Sequence, residues 1–80
     1  MQVKQAVAQR FTMLCNEKGL NPNELAARAG VTPSTAYSML DPRRENIYIT
    51  TIKKFCDGLE ITLGEFFSTP EFDDLEQEIE

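Results

Sequence analysis

Apolar residues recur at Val3, Val7, Phe11 and Leu14, in steps of four, four and three that line one face of a helix. The pattern predicts a helix over 3–18, closed by Gly19, which reaches the left-handed conformation cheaply. Each of the four prolines follows a residue whose side-chain oxygen can cap a helix: Asn21-Pro22, Thr32-Pro33, Asp41-Pro42 and Thr69-Pro70. The oxygen satisfies an orphan amide and the ring presets φ at the first helical position, so each pair is a candidate start, and three of the four are expected to open helices. Glu24 strengthens the first as the reciprocal partner of Asn21 in a capping box. A second helix over 22–29 and a third over 33–40 follow, with Gly30 and Val31 between them. "LDPRRENIYITT", residues 40–51, reads as a loop, because its β-branched run is too short to make a sheet alone. A fourth helix over 51–59 would bury Ile52, Phe55, Cys56 and Leu59, with Gly58 loosening its end. A fifth starts at Thr62, boxed by Glu65, with Leu63, Phe66 and Phe67 facing inward. "PEFDDLEQEI", residues 70–79, predicts a sixth, with Phe72, Leu75 and Ile79 at steps of three and four.

The expected fold is therefore all-α, with a helical domain over 1–68 and an acidic amphipathic helix or tail over 69–80. Eighty residues, 41% of them hydrophobic, suffice for one small domain. No apolar run approaches the ~18 residues of a membrane span. The opening "MQVKQAVAQR" lacks the apolar stretch of a secretory signal, so a cytoplasmic location is expected. Cys15 and Cys56 each sit among apolar residues at helical spacing, and the chain has no histidine to complete a zinc site; both are expected to be buried thiols.

The net charge of -5 argues at first against a nucleic-acid partner. The distribution reverses that impression. Residues 1–60 hold all eight Lys and Arg against six acids, a balance of +2, while residues 61–80 hold the other seven acids and no base.

Two short helices that cross closely need a small residue at the contact, a turn residue tolerant of positive φ, and apolar positions that lock both to a third helix. Ala26, Gly30 and the set Leu25, Val31, Ala36 and Met39 meet those needs over 22–40. Here "NELAARAGVTPSTAYSML" and "TIKKFCDGLEITLGEFF" resemble the phage-repressor-like, Cro-like XRE group of helix-turn-helix regulators over about residues 3–67. The chain is also similar to small clostridial members ending in a tail like "DDLEQEI". The resemblance implies a five-helix lambda-repressor-like fold whose third helix enters the major groove of operator DNA, usually as a homodimer. It places base-facing positions at Pro33, Ser34, Tyr37 and Ser38, and phosphate-contacting positions at Asn21, Thr32, Thr35 and Arg43. Two departures stand out. Pro22 occupies a place where the family often has a phosphate-clamping glutamine, and Leu40 replaces a common acidic partner of Arg10, which must pair elsewhere or lie in solvent.

The residues alone give helix three hydroxyls and one phenol. Ser and Thr bond base edges of either kind, whereas bidentate Arg, Gln or Asn contacts discriminate by ~1–3 kcal/mol each, so direct readout should be modest. Affinity would lean on phosphate contacts from Arg43 and Arg44, with Lys53 and Lys54 as candidates and Tyr37 and Tyr48 as further hydrogen-bonders, and would fall steeply with salt. The bland counterparts are a solvated hydroxyl face and a loop made soluble by its arginines. In the tail, Phe72, Leu75 and Ile79 could pack back onto the domain or form a dimer contact. DNA phosphates would repel this acidic segment. No histidine, phosphate cradle or nucleophile–base pair is present, so no enzyme, cofactor, metal or small-molecule ligand is expected. The reading from another class is a protein-interaction adaptor, antitoxin-like or phage-encoded, that presents the acidic C-terminal helix to a basic partner.

Overall fold

The computed structural model describes residues 1–44 and 47–79, so part of the predicted 40–51 loop lies outside the described residues. Six helices follow in order: α1 Val3–Lys18, α2 Pro22–Ala29, α3 Pro33–Leu40, α4 Ile49–Gly58, α5 Leu63–Phe67 and α6 Pro70–Asp73. The first three match their predicted bounds, and local chemistry explains three of the boundaries. Gly19 and Gly30 end α1 and α2 in the left-handed region, at φ 66° and 72°. Asn21 caps α2 by accepting the Glu24 amide at 2.8 Å, while Glu24 accepts the Asn21 amide at 3.1 Å.

The core is aromatic at its centre. Phe11 of α1 lies 4.3 Å from the Phe66 ring of α5 and 5.3 Å from the Phe55 ring of α4. Around these pack Val7, Leu14, Leu25, Ala26, Ala36, Met39, Ile52, Cys56 and Leu59, all buried. Both thiols are buried as expected, and burial pushes each above its ordinary pKa, which keeps it protonated and unreactive.

Three expectations are corrected. Helix α4 begins at Ile49 rather than Thr51 and ends at Gly58: Tyr48 sits extended at the N-cap, and its carbonyl accepts the Thr51 and Ile52 amides at 3.0 and 3.1 Å. The β-branched run that argued for a loop is absorbed into a helix whose inner face is buried, a case of packing overriding propensity. Gly58 does not loosen that helix. A Cβ there would stand 2.9 Å from the backbone of Arg28 and Ala29, so α4 passes α2 too closely for any side chain, and the left-handed residue beyond the helix is Glu60 at φ 61°. The sixth helix is a single turn. It stops at Asp73, and residues 75–79 have no regular structure, so Phe72, Leu75 and Ile79 do not share a helical stripe. Repulsion among closely spaced carboxylates and the lack of any base in 61–80 leave that segment little reason to coil further. Phe72 packs in its own domain, 4.9 Å from Phe67 and 5.8 Å from Phe66; Leu75 is half-buried and Ile79 is 83% exposed.

Candidate nucleic-acid interface

Helix α3 is amphipathic in a simple way. Ala36 and Met39 turn into the core, while Ser34, Tyr37 and Ser38, related by three and four residues, share the outward side. Pro33 and Ser34 are exposed, Tyr37 is 55% exposed, and Ser38 is half-buried. At the start of the helix Thr32 accepts the Thr35 amide at 3.4 Å, and its hydroxyl lies 3.1 Å from that of Ser34 and 3.0 Å from that of Thr35. Three hydroxyls thus meet at one helix end and bond one another. Asn21 is exposed at the head of α2. Beside α3 runs an open cleft of about 220 Å³ lined by Ser34, Thr35, Ser38, Met39, Ile47 and Tyr48. Tyr48, at 71% exposure, and Ile49, at 58%, extend that surface onto the head of α4.

Beyond α3 the chain turns through Asp41, Pro42, Arg43 and Arg44. The Asp41 carboxylate accepts from the Arg43 main-chain amide at 3.0 Å and from its guanidinium at 3.1 and 3.2 Å. These bonds hold the Asp41 carboxyl below its ordinary pKa of 3.8 and raise that of Arg43. The pair is solvated, with the Arg43 side chain 88% exposed, so an anion can compete for it. Arg44 is exposed. Lys53 pairs with Asp57 one turn along α4, and Lys54 is exposed. Among the described residues no group of His, Cys, Asp or Glu is placed to hold a metal ion, and no helix is long and apolar enough to cross a membrane.

The end of α3 is held by a residue that the sequence reading passed over. Lys4, 4% exposed, reaches from α1 and donates from Nζ to the carbonyls of Ser38, Met39 and Asp41 at 3.0, 2.9 and 2.7 Å. Burial pulls the ammonium pKa below its ordinary value, with the Asp41 charge opposing that shift. Two signals pointed there. Lys4 is in step with Ala8, Phe11 and Cys15 on a buried side of α1, and α3, unlike α1 and α2, ends without a glycine. Arg10 solves its own problem in the same manner. With no acid at position 40, it donates to the carbonyls of Phe66 and Glu65 at 3.0 and 3.1 Å, closing α5, and lies 5.9 Å from the Phe66 ring.

Helices α2 and α3 thus form a short packed pair, the second with a polar outward face and a basic turn after it. The model of the Cro/C1-type helix-turn-helix DNA-binding domain matches residues 10–71, most of the chain. The chain belongs to that family. It is a family of DNA-binding regulators rather than enzymes. The crystal structure of the prophage Lp1 protein 11 is similar at 30% identity with a TM-score of 0.79, covering 94% of this chain and 100% of that one. No curated protein matches the sequence.

Proposed function

We propose that the domain is an operator-binding transcriptional regulator of the XRE type that seats α3 in the major groove. The observation that carries this reading is the outward face formed by exposed Ser34 and Tyr37 with half-buried Ser38, the adjoining cleft, and the Arg43–Arg44 turn, in a member of a DNA-binding family. Pro33, Ser34, Tyr37 and Ser38 face the bases. Asn21, Thr32, Thr35, Arg43 and Arg44 contact phosphates, with Arg43 exchanging the Asp41 carboxylate for a phosphate oxygen of the same charge and similar geometry. Hydroxyls already bonded to one another at the head of α3 lose little by turning to base edges. Selectivity is modest for the same reason, since none of the four base-facing side chains makes a bidentate contact. The domain acts as a homodimer on a palindromic site, with Leu75 and Ile79 of the tail left available to a second copy. The adaptor reading presents an acidic C-terminal helix to its partner, and α6 offers a single turn, Pro70–Asp73, for it.

The test is selection of bound sequences from random duplex DNA, followed by titration of the winner with stoichiometry measured. Arg43→Ala combined with Arg44→Ala should weaken binding about tenfold or more and flatten the slope of log affinity against log salt by nearly ~2 per protomer. Binding indifferent to both the substitutions and salt would remove the DNA reading. One chain per duplex would remove the dimer.

A further inference from the structure

We infer that Lys4 is a positioning residue for DNA binding: from α1 it clasps the last turn of α3 and, through Asp41, sets the place of Arg43. This rests on the reading of α3 and Arg43 as DNA-contacting. A buried lysine normally pairs with a carboxylate. The Lys4 ammonium instead directs its three donors at three carbonyl oxygens, at 2.7 to 3.0 Å. Two of those carbonyls, at Ser38 and Met39, belong to the last turn of α3, where the helix runs short of amide donors and the Ser38 oxygen has only the Asp41 amide, at 3.3 Å; a cation there also faces the negative end of the helix dipole. The third is the carbonyl of Asp41, held by the shortest of the three bonds. The Asp41 carboxylate in turn holds both the main-chain amide and the guanidinium of Arg43.

A fixed path of hydrogen bonds therefore leads from the middle of the fold to an exposed cation: Lys4 Nζ to the Asp41 carbonyl, and the Asp41 carboxylate to Arg43. Besides the ammonium, the Asp41 amide donates to the Ser38 carbonyl at 3.3 Å. Asp41 at the C-cap is extended, at φ -89° and ψ 110°, and the helix has no basic residue in its own last turn. Without the ammonium, three carbonyls lose a shared donor at once, the Ser38 and Asp41 oxygens keep only the Asp41 and Arg44 amides at 3.3 and 3.2 Å, the last turn of α3 frays, and Ser38, Asp41 and Arg43 lose their common reference. Arg43 keeps its charge and its exposure; what it loses is its place.

Lys4→Met retains the aliphatic stem and removes the donors, and Lys4→Arg retains a charged donor that can cap the same carbonyls. Hydrogen exchange of the free protein, well below its melting temperature, should show the amides of Met39, Leu40, Asp41 and Arg43 opening about tenfold faster in Lys4→Met, with α2 unchanged, and largely restored in Lys4→Arg. On the selected duplex, Lys4→Met should weaken binding by about tenfold, and Arg43→Ala should cost less in the Lys4→Met background than in the unsubstituted protein. Uniform exchange across α2 and α3 would overturn the clasp. Faster exchange with unchanged affinity, or with losses from Lys4→Met and Arg43→Ala that simply multiply, would overturn the positioning role. Absence of any bound duplex removes the proposed function and the positioning role together, and the exchange pattern still reports whether the clasp exists. If Lys4→Met is unfolded, the affinity comparison is made with Asp41→Ala, which cuts the path at its other joint; losses from Asp41→Ala and Arg43→Ala that simply multiply would overturn the proposal.

Discussion

The two helices of the motif have the same length and similar beginnings, yet they end by different means. Helix α2 is finished by its own sequence: Asn21 and Glu24 cap its start and Gly30 turns the chain out of it. Helix α3 has a local start at Thr32, but a lysine 34 residues earlier than Ser38 closes its end. Helix α2 is thus locally determined, whereas α3, the helix proposed to face DNA, is completed by tertiary structure. A local cap acts as soon as its residues meet. A distant one acts only when α1 is docked, so α3 is finished only in the folded domain.

The largest effect treats the two helices alike. Phe11→Ala removes the ring against which α4 and α5 both pack, and should cost about 3–5 kcal/mol, read as a fall in the denaturant midpoint. A loss below about 1 kcal/mol would mean that the core relaxes around the gap. Gly58→Ala should act on the α2 side, by about 1–3 kcal/mol, because the added Cβ meets the backbone of Arg28 and Ala29; amides at the end of α2 should exchange faster while those of α3 hold. Asn21→Ala should cost about 1 kcal/mol as a lost cap, with the exchange confined to the first turn of α2. A spread of that effect into α3 would contradict the idea of a locally determined α2. The smallest signal is the titration of Asp41. Because its folded pKa lies below 3.8, its contribution is present above the ordinary carboxylate range and disappears as pH falls through the folded value. The carboxyl carbon observed by NMR should titrate below 3.8 and move upward in Arg43→Ala.

How much of this was legible in the sequence follows the same division. Asn21, Thr32, Gly19 and Gly30 act on backbone within a few residues of themselves, so the end of α1, both bounds of α2 and the start of α3 could be read from them. The buried set on α4 was visible in the spacing of Ile52, Phe55, Cys56 and Leu59, but not its start at Ile49, where packing overrules a β-branched run. The tail misled because its apolar spacing is helical while only Phe72 finds a partner in the aromatic cluster. The polar face of α3 and its basic turn were visible; Lys4 was not, because nothing in a charge pattern distinguishes a lysine in water from one pointed at three carbonyls. Gly58 reads the same in sequence whether it relaxes a helix or permits two backbones to touch.

The clasp of α3 and the closure of α5 also bear on how the domain meets a polyelectrolyte. Of eight basic side chains in the sequence, Lys4 and Arg10 are committed to backbone carbonyls inside the fold. Only the remaining six can exchange places with the ions condensed on a duplex. The number of ions liberated per protomer therefore has a ceiling set by folding rather than by composition, and the salt slope should be no steeper than about -5 per protomer. A short regulator of this kind would then hold DNA firmly only where ionic strength is low or where a second copy doubles the count.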